Sequence, residues 1–137
     1  LYGRDDVMQM KLREQELIDF LEINFPDKEF KKGRMLVGQH HRDDLTVYYL
    51  GEELFAAIIV AFNTFETREA MLLDYTAVKD ITLKEGWLYR KMIIKTENER
   101  MKYGTSKVLL SDFQTENFNY FIDGQKERVI FKNGKFV

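Results

Sequence analysis

The chain has 137 residues, a length typical of one domain that buries roughly two thirds of the surface of its unfolded chain. Twenty-one basic and twenty-three acidic residues give a net charge of −2, so the strong basic excess typical of nucleic-acid-binding domains is absent. The chain has no cysteine, which excludes a disulfide scaffold, a thiol nucleophile and a cysteine zinc site, and we expect a cytoplasmic location.

The first predicted element is an amphipathic helix over about residues 5–24. Its apolar residues at helical spacing are Val7, Met10, Leu17, Ile18, Leu21 and Phe25. Asp5 and Asp6 suit a helix start, where carboxylates meet unpaired N–H groups and the positive end of the helix dipole. Pro26 ends the pattern. We expect this helix to cover one face of a sheet, or to contact a second chain.

From Phe30 onward the hydrophobic pattern changes to that of β-strands rich in β-branched and aromatic residues. The predicted strands cover residues 34–41, 45–50, 54–62, 70–75, 80–85, 89–96 and 100–105. Most of the links are short, which predicts hairpins and antiparallel pairing. Residues 62–69 are predicted to form a polar loop, and Thr76 to Val78 interrupt the strand pattern.

The last third of the chain predicts a second helix and a terminal hairpin. Residues 111–114, "SDFQ", form a capping box in which Ser111 caps the helix and Gln114 reaches back to it. Gly124 suits the helix end. In "RVIFKNGKFV", Asn133 and Gly134 separate two apolar alternations, which is the strongest short-range signal for a hairpin.

These elements predict an α+β fold made mostly of antiparallel strands. The strands form two sheets or a partly open barrel, with an N-terminal helix, a C-terminal capping helix and a terminal β-hairpin. We divide the chain into residues 1–30 (amphipathic helix and connection), 31–127 (β domain with its capping helix) and 128–137 (hairpin).

The sequence "HHRDD" at 40–44 contains both histidines and is the main candidate for a chemical site. Imidazoles and carboxylates bind divalent metals, but His40 and His41 are neighbours in a predicted strand and point to opposite faces. Asp43 and Asp44 are of a type that favours turns. We therefore expect a turn and no metal site. One alternative remains: an enzyme with a cone-shaped α+β fold that uses His40 and Asp44.

Basic residues recur on the predicted strands between residues 89 and 107. They are Arg90, Lys91, Lys95, Arg100, Lys102 and Lys107. If they share one face, they form a patch for an anionic partner or a membrane surface. Glu97 and Glu99 dilute the patch, so an ordinary solvated surface is the favoured interpretation.

Two regions are candidates for contact with a protein partner. The first is the N-terminal helix, through its apolar residues Val7, Met8, Met10 and Leu12. The second is Trp87, which lies in a predicted turn, where a large aromatic side chain is not needed for the core. Exposed tryptophans are common at the energetic centres of interfaces.

Two stretches resemble the bacterial pleckstrin-homology-like (PH-like) domains. They are "LLDYTAVKDITLKEGWLYRKMIIKT" at 72–96 and "KYGTSKVLLSDFQTENFNYFI" at 102–122. In that family a strand ends in an aromatic-containing turn, two strands follow around a glycine turn, and one helix covers a partly open barrel. Here Gly86 marks the glycine turn, and the helix after Ser111 is the cover. The resemblance spans about residues 34–123.

The resemblance implies a non-enzymatic bacterial module for protein–protein interaction or self-association. The branch that binds phosphoinositides uses basic residues near its first hairpin, whereas "HHRDDL" at 40–45 has no lysine and two aspartates. Phosphoinositide binding is therefore not implied. We expect no cofactor, no nucleic acid and no membrane contact. A barrel that binds a small ligand or a lipid in its mouth remains an alternative.

Overall fold

The computed structural model describes residues 11–39 and 44–137 and shows an α+β fold. Two helices, α1 (Glu14–Asn24) and α2 (Gln114–Ile122), accompany two antiparallel sheets of four and five strands. The predicted antiparallel α+β class is therefore confirmed. The described strands do not close into a barrel.

The first sheet has the strand order β1-β2-β3-β4, and each strand pairs with the next one along the chain. Its strands are β1 (Met35–Gln39), β2 (Asp44–Leu50), β3 (Phe55–Ala61) and β4 (Thr67–Leu73). A short 3₁₀ turn, Tyr75–Ala77, leads to the second sheet and accounts for the predicted interruption of the strand pattern. Asp74 caps this turn, since its Oδ1 accepts a hydrogen bond from the N–H of Thr76 at 2.9 Å.

The second sheet has the order β7-β6-β5-β8-β9, so the terminal hairpin joins it through β5. Its strands are β5 (Val78–Glu85), β6 (Tyr89–Thr96), β7 (Arg100–Ser106), β8 (Glu127–Lys132) and β9 (Lys135–Phe136). Asn133 and Gly134 both have positive φ, 56° and 82°, as the tight hairpin turn requires. The predicted Asn-Gly hairpin is confirmed.

The first sheet is the middle layer, because both of its faces are buried. Helix α1 packs on one face with Leu17, Ile18 and Leu21. The second sheet packs on the other face, where the rings of Phe55, Tyr75 and Phe131 stack at 4.6 and 4.7 Å. The nearly continuous burial along β2 and β3 follows from this position.

Helix α1 starts later than the sequence predicted, at Glu14, and residues 5–10 of the predicted helix lie outside the described part. Before the helix, Leu12 and Ser111 form an isolated parallel β-bridge. The N–H of Leu12 donates to the Leu110 carbonyl at 2.9 Å, and the N–H of Asp112 donates to the Leu12 carbonyl at 3.0 Å. The Oδ1 of Asp112 accepts a hydrogen bond from the N–H of Glu14 at 2.8 Å. A distant carboxylate thus caps this helix, which local spacing does not reveal.

The start of helix α2 contains one of the two hydrogen bonds of the predicted capping box and lacks the other. The Ser111 hydroxyl accepts the predicted hydrogen bond from the N–H of Gln114 at 3.0 Å, but the helix begins at Gln114, so the N-cap residue is Phe113 and not Ser111. The Gln114 side chain does not reach back, because its Oε1 accepts from the N–H of Val37 at 2.8 Å. Asp123 and Gly124 have positive φ, 52° and 72°, and end the helix where predicted.

Strand β4 lies partly where a polar loop was predicted. The loop is shorter than expected: Phe65 adopts a positive φ of 58°, and the strand begins at Thr67. The prediction was wrong because β4 is the edge of its sheet, where Arg68 and Glu69 are exposed. A polar edge strand lacks the apolar alternation that marks the inner strands.

Candidate functional site

An apolar group of side chains is exposed at the end of the second sheet where β5 turns into β6. Trp87 is 89% exposed, and Leu88 and Val108 are also exposed. The N–H of Lys107 donates to the Leu88 carbonyl at 3.1 Å, which holds the segment after β7 beside the turn. We call Trp87, Leu88 and Val108 the Trp87 end. The expectation that Trp87 lies in a turn is confirmed.

The backbone of the turn positions Trp87 outward. The N–H of Gly86 donates to the carbonyl of Tyr89 at 3.1 Å and closes the turn. A side chain at Gly86 would place its Cβ 2.4 Å from that same carbonyl oxygen, so glycine is required there. An open cleft of about 560 Å³ lies beside the turn, and Lys107 and Lys126 contribute to its lining.

The sequence also predicted a partner contact through four apolar residues of the N-terminal helix: Val7, Met8, Met10 and Leu12. Leu12 is only 2% exposed and lies in the core under α1, so its assignment to a contact surface was wrong. Its hydrophobicity serves the packing of the chain that enters α1. Val7, Met8 and Met10 lie outside the described residues.

The predicted basic patch is split between two faces of the second sheet. Arg90 points inward: its side chain is 11% exposed, and its guanidinium carbon lies 5.6 Å from the centre of the Phe118 ring. Lys107 Nζ is held by Glu85 at 2.8 Å, and Glu85 also lies 3.7 Å from Arg90. These two cations therefore belong to an ion-pair group at the sheet end and not to the patch.

The remaining cations of the predicted patch share the outer face of the second sheet. In the sheet register Lys95 is opposite Arg100, Ile93 is opposite Lys102, and paired residues lie on the same face. The face comprises Lys84, Lys91, Lys95, Arg100 and Lys102, and we call it the basic face. Lys84, which the sequence analysis missed, is opposite Lys91.

A shallow cleft of about 180 Å³ lies within the basic face. Ile93 lies at its base and is 4% exposed, although it points away from both core clusters. Gly104 leaves the cleft open, since a Cβ built there has no other atom within 4 Å. The long side chains of Lys91 and Arg100 contribute to the rim.

The predicted "HHRDD" cluster lies mostly outside the described residues, which include neither histidine nor Asp43. Asp44 is the first residue of β2 and pairs with Ala61. Within residues 11–39 and 44–137, no group of three or more histidine, aspartate or glutamate side chains is arranged to hold a metal ion.

The strongest electrostatic perturbation concerns buried tyrosines and not a candidate acid or base. The hydroxyls of Tyr48 and Tyr103 lie 2.5 Å apart and share a hydrogen bond. Burial raises the pKa of both hydroxyls, and the bond to Tyr103 raises that of Tyr48 further. Burial also raises the pKa of Tyr75, whose hydroxyl donates to the Gly51 carbonyl at 2.6 Å. These hydroxyls stay protonated and act as structural donors.

Arg34 is a further residue that the sequence analysis missed. Its guanidinium carbon lies 4.9 and 4.8 Å from the ring centres of Phe121 and Phe136, and its Nε donates to the Leu50 carbonyl at 2.6 Å. Cation–π contacts with two rings join the first sheet to α2 and to the terminal hairpin. The side chain therefore has a structural role beside a surface cleft of about 370 Å³.

Comparisons with protein-family models, with curated proteins and with solved structures find no match for this chain. None of the described helices has the length and apolar character needed to cross a membrane.

Proposed function

We propose that the chain is a non-enzymatic binding and assembly module that contacts other protein chains. The observation that carries this proposal is the exposure of Trp87 at the tip of a constrained turn. Tryptophan has the largest apolar surface of any side chain, and hydrophobic burial favours about 25 cal/mol for each Å² removed from water. An exposed tryptophan is therefore a strong anchor for a partner.

The neighbours of Trp87 favour a protein partner. Leu88 and Val108 extend the apolar area, and the ion pair of Glu85 with Lys107 adds polar groups at its border. An apolar centre with a polar border is the usual anatomy of a protein interface. Because the turn is held by backbone hydrogen bonds, binding orders few additional groups, which reduces its entropic cost.

The PH-like resemblance forms part of the same proposal. It is supported by the order of the elements, in which antiparallel strands precede one helix. Helix α2 packs between β1 and the second sheet with Phe118, Phe121 and Ile122 in the core. An interior filled by these aromatic side chains suits an interaction module that binds its partners on the outside.

Site-specific photocrosslinking tests this function. A photoreactive benzoyl-phenylalanine replaces Leu88, and the variant is expressed in cells that naturally produce the chain. Tyr120, which is also exposed but lies beside the Arg34 cleft, is the matched control position. We expect a discrete protein adduct from position 88, none of that mass from position 120, and loss of the adduct when Trp87→Ser is added.

The substitution Trp87→Ser does not remove a core contact, so we expect the free energy of unfolding to change by no more than about 0.5 kcal/mol. Circular dichroism and urea unfolding check this. If position 88 forms no adduct, or if the same adduct persists with Trp87→Ser in a folded chain, the proposed contact site is wrong.

A further inference from the structure

Two surfaces of opposite charge lie on opposite sides of the molecule. Helix α1 covers one face of the first sheet, and the basic face points away from the first sheet on the other side. Along Glu14–Asn24 the helix has four acidic residues and no basic one, and Glu16, Asp19 and Glu22 point to solvent. Although the net charge is only −2, negative charge is concentrated on α1 and positive charge on the basic face.

Asp80 lies opposite Lys95 on the basic face, but the cations of this face outnumber its acidic residues. Lys91, Lys95 and Arg100 have no ion pair within the described part of the chain. Lys84 is 3.3 Å from Glu127 at one border. On the acidic helix, Glu16 lies 3.8 Å from Arg13 in an exposed contact that contributes little.

The two surfaces also match in the placement of their apolar residues. Ile23 is 77% exposed on α1, adjacent to Glu22 and one turn after Asp19. The cleft of the basic face has the opposite arrangement, with apolar Ile93 at its base, open space above Gly104 and cations at its rim. An exposed isoleucine one turn after the carboxylate of Asp19, on a helix without a basic residue, complements an apolar cleft with cations at its rim.

We propose that copies of this chain associate head to tail, with α1 of one copy on the basic face of the next and Ile23 in its cleft. This inference rests on the proposed assembly function and specifies a second copy as the partner. The two contacting surfaces differ and lie on opposite sides, so the contact is heterologous and leaves a free surface on each end copy. It therefore forms chains of copies and not a closed two-fold dimer.

A pair of uncharged substitutions tests this arrangement. Ile23→Gln removes the inserted side chain and leaves the cleft intact, whereas Gly104→Val fills the cleft and leaves Ile23 intact. Both residues lie at the surface, and a Cβ at Gly104 meets no atom, so both variants are expected to fold. Circular dichroism and urea unfolding check this. Lys91→Gln, at the cleft rim, is a second way to weaken the same contact.

Sedimentation velocity at low salt gives the readout. We expect each variant alone to stay near the single-chain mass of 16.4 kDa at concentrations where the wild type associates. An equimolar mixture is expected to form species of two chains and nothing larger, because one intact helix meets one intact cleft. If both variants alone associate as the wild type does, or if the mixture stays monomeric, the head-to-tail contact is wrong.

The same experiment separates this contact from the Trp87 end. Trp87 is the only tryptophan, and the proposed contact leaves it exposed. We expect Trp87→Ser to associate as the wild type does, and wild-type emission to keep its wavelength as copies associate. If Trp87→Ser abolishes association while Ile23→Gln and Gly104→Val leave it unchanged, the head-to-tail contact is wrong and copies associate through the Trp87 end instead.

Discussion

Gly38 and Gly104 are both strand glycines, but their surroundings differ. A Cβ at Gly38 would lie 2.7 and 2.8 Å from ring atoms of Tyr103, where β1 approaches β7. Gly104 has open space in the corresponding direction. Glycine is thus required at Gly38 for the close approach of the two sheets, whereas at Gly104 it only leaves a cleft open.

We therefore predict opposite effects for the same substitution at these glycines. Gly38→Ala is expected to lower the free energy of unfolding by about 1–3 kcal/mol, because the ring of Tyr103 has to shift within the packed core. Gly104→Ala, the matched control, is expected to leave it unchanged or raise it by up to about 1 kcal/mol. Urea unfolding measures both, and equal effects would contradict the assigned packing.

The buried tyrosines predict a loss of stability in alkaline solution. The unfolded chain releases tyrosine protons near a pH of about 10, whereas Tyr48, Tyr75 and Tyr103 have raised pKa values in the fold. Above that pH the unfolded state binds fewer protons than the folded state, so the free energy of unfolding falls as the pH rises. Their contribution is fully present below the pKa of the unfolded chain.

Tyr48→Phe tests this linkage. At a pH where a tyrosine is protonated in the folded state and ionised in the unfolded state, it lowers the free energy of unfolding by about 1.4 kcal/mol per pH unit. We expect the variant to lose about 1 kcal/mol at neutral pH with the hydrogen bond, and to show a shallower decline above the pKa of free tyrosine. Urea unfolding between neutral and strongly alkaline pH measures the slope, and an unchanged slope would contradict the assignment.

At the scale of elements, polar side chains bond to the backbone of β1 along the edge that does not pair with β2. The Gln114 Oε1 accepts from the N–H of Val37 at 2.8 Å, and the Thr105 hydroxyl donates to its carbonyl at 2.8 Å. The Asn117 amide donates to the Met35 carbonyl at 3.0 Å and to Glu14 at 2.9 Å. These bonds replace those of a further strand, so the edge is closed to pairing with another chain.

Gln114→Ala is predicted to leave the buried N–H of Val37 without an acceptor. An unsatisfied buried donor costs about 1–3 kcal/mol, so we expect a loss of that size in the free energy of unfolding. Hydrogen exchange at the Val37 amide is expected to accelerate as well. Gln125→Ala, which changes an exposed glutamine after α2, is the control and is expected to change neither. Unchanged protection of Val37 would contradict the edge role of Gln114.

The sequence predicted the elements that depend on local patterns and missed those that depend on tertiary contacts. Alternating strands, the Asn133 turn and the hydrogen bond between Ser111 and Gln114 are local, and they are confirmed. The start of α1 depends on Asp112, and the burial of Leu12 depends on the chain segment before α2. The split of the basic patch follows from a local rule: Arg90 and Lys91 are neighbours in a strand, and neighbours in a strand point to opposite faces.

At the scale of the whole molecule, the layers explain why two outward surfaces of opposite charge lie on opposite sides. The first sheet lies in the middle, so the outward surfaces belong to α1 and to the second sheet. Their opposite charges favour approach of copies in one orientation, and salt weakens such attraction between exposed charges. The Trp87 end lies at one end of the second sheet and leaves the basic face free for a copy.

The most direct test of the account is the sedimentation velocity of the unmodified chain over a wide range of protein concentration, at low and at high salt. At low salt we predict that the weight-average mass rises above 16.4 kDa with concentration, up to the high-micromolar range, without levelling off at two chains. At high salt it returns toward the single-chain mass. Head-to-tail association would be contradicted by a single-chain mass at every concentration and salt level, or by a dimer whose stability does not depend on salt.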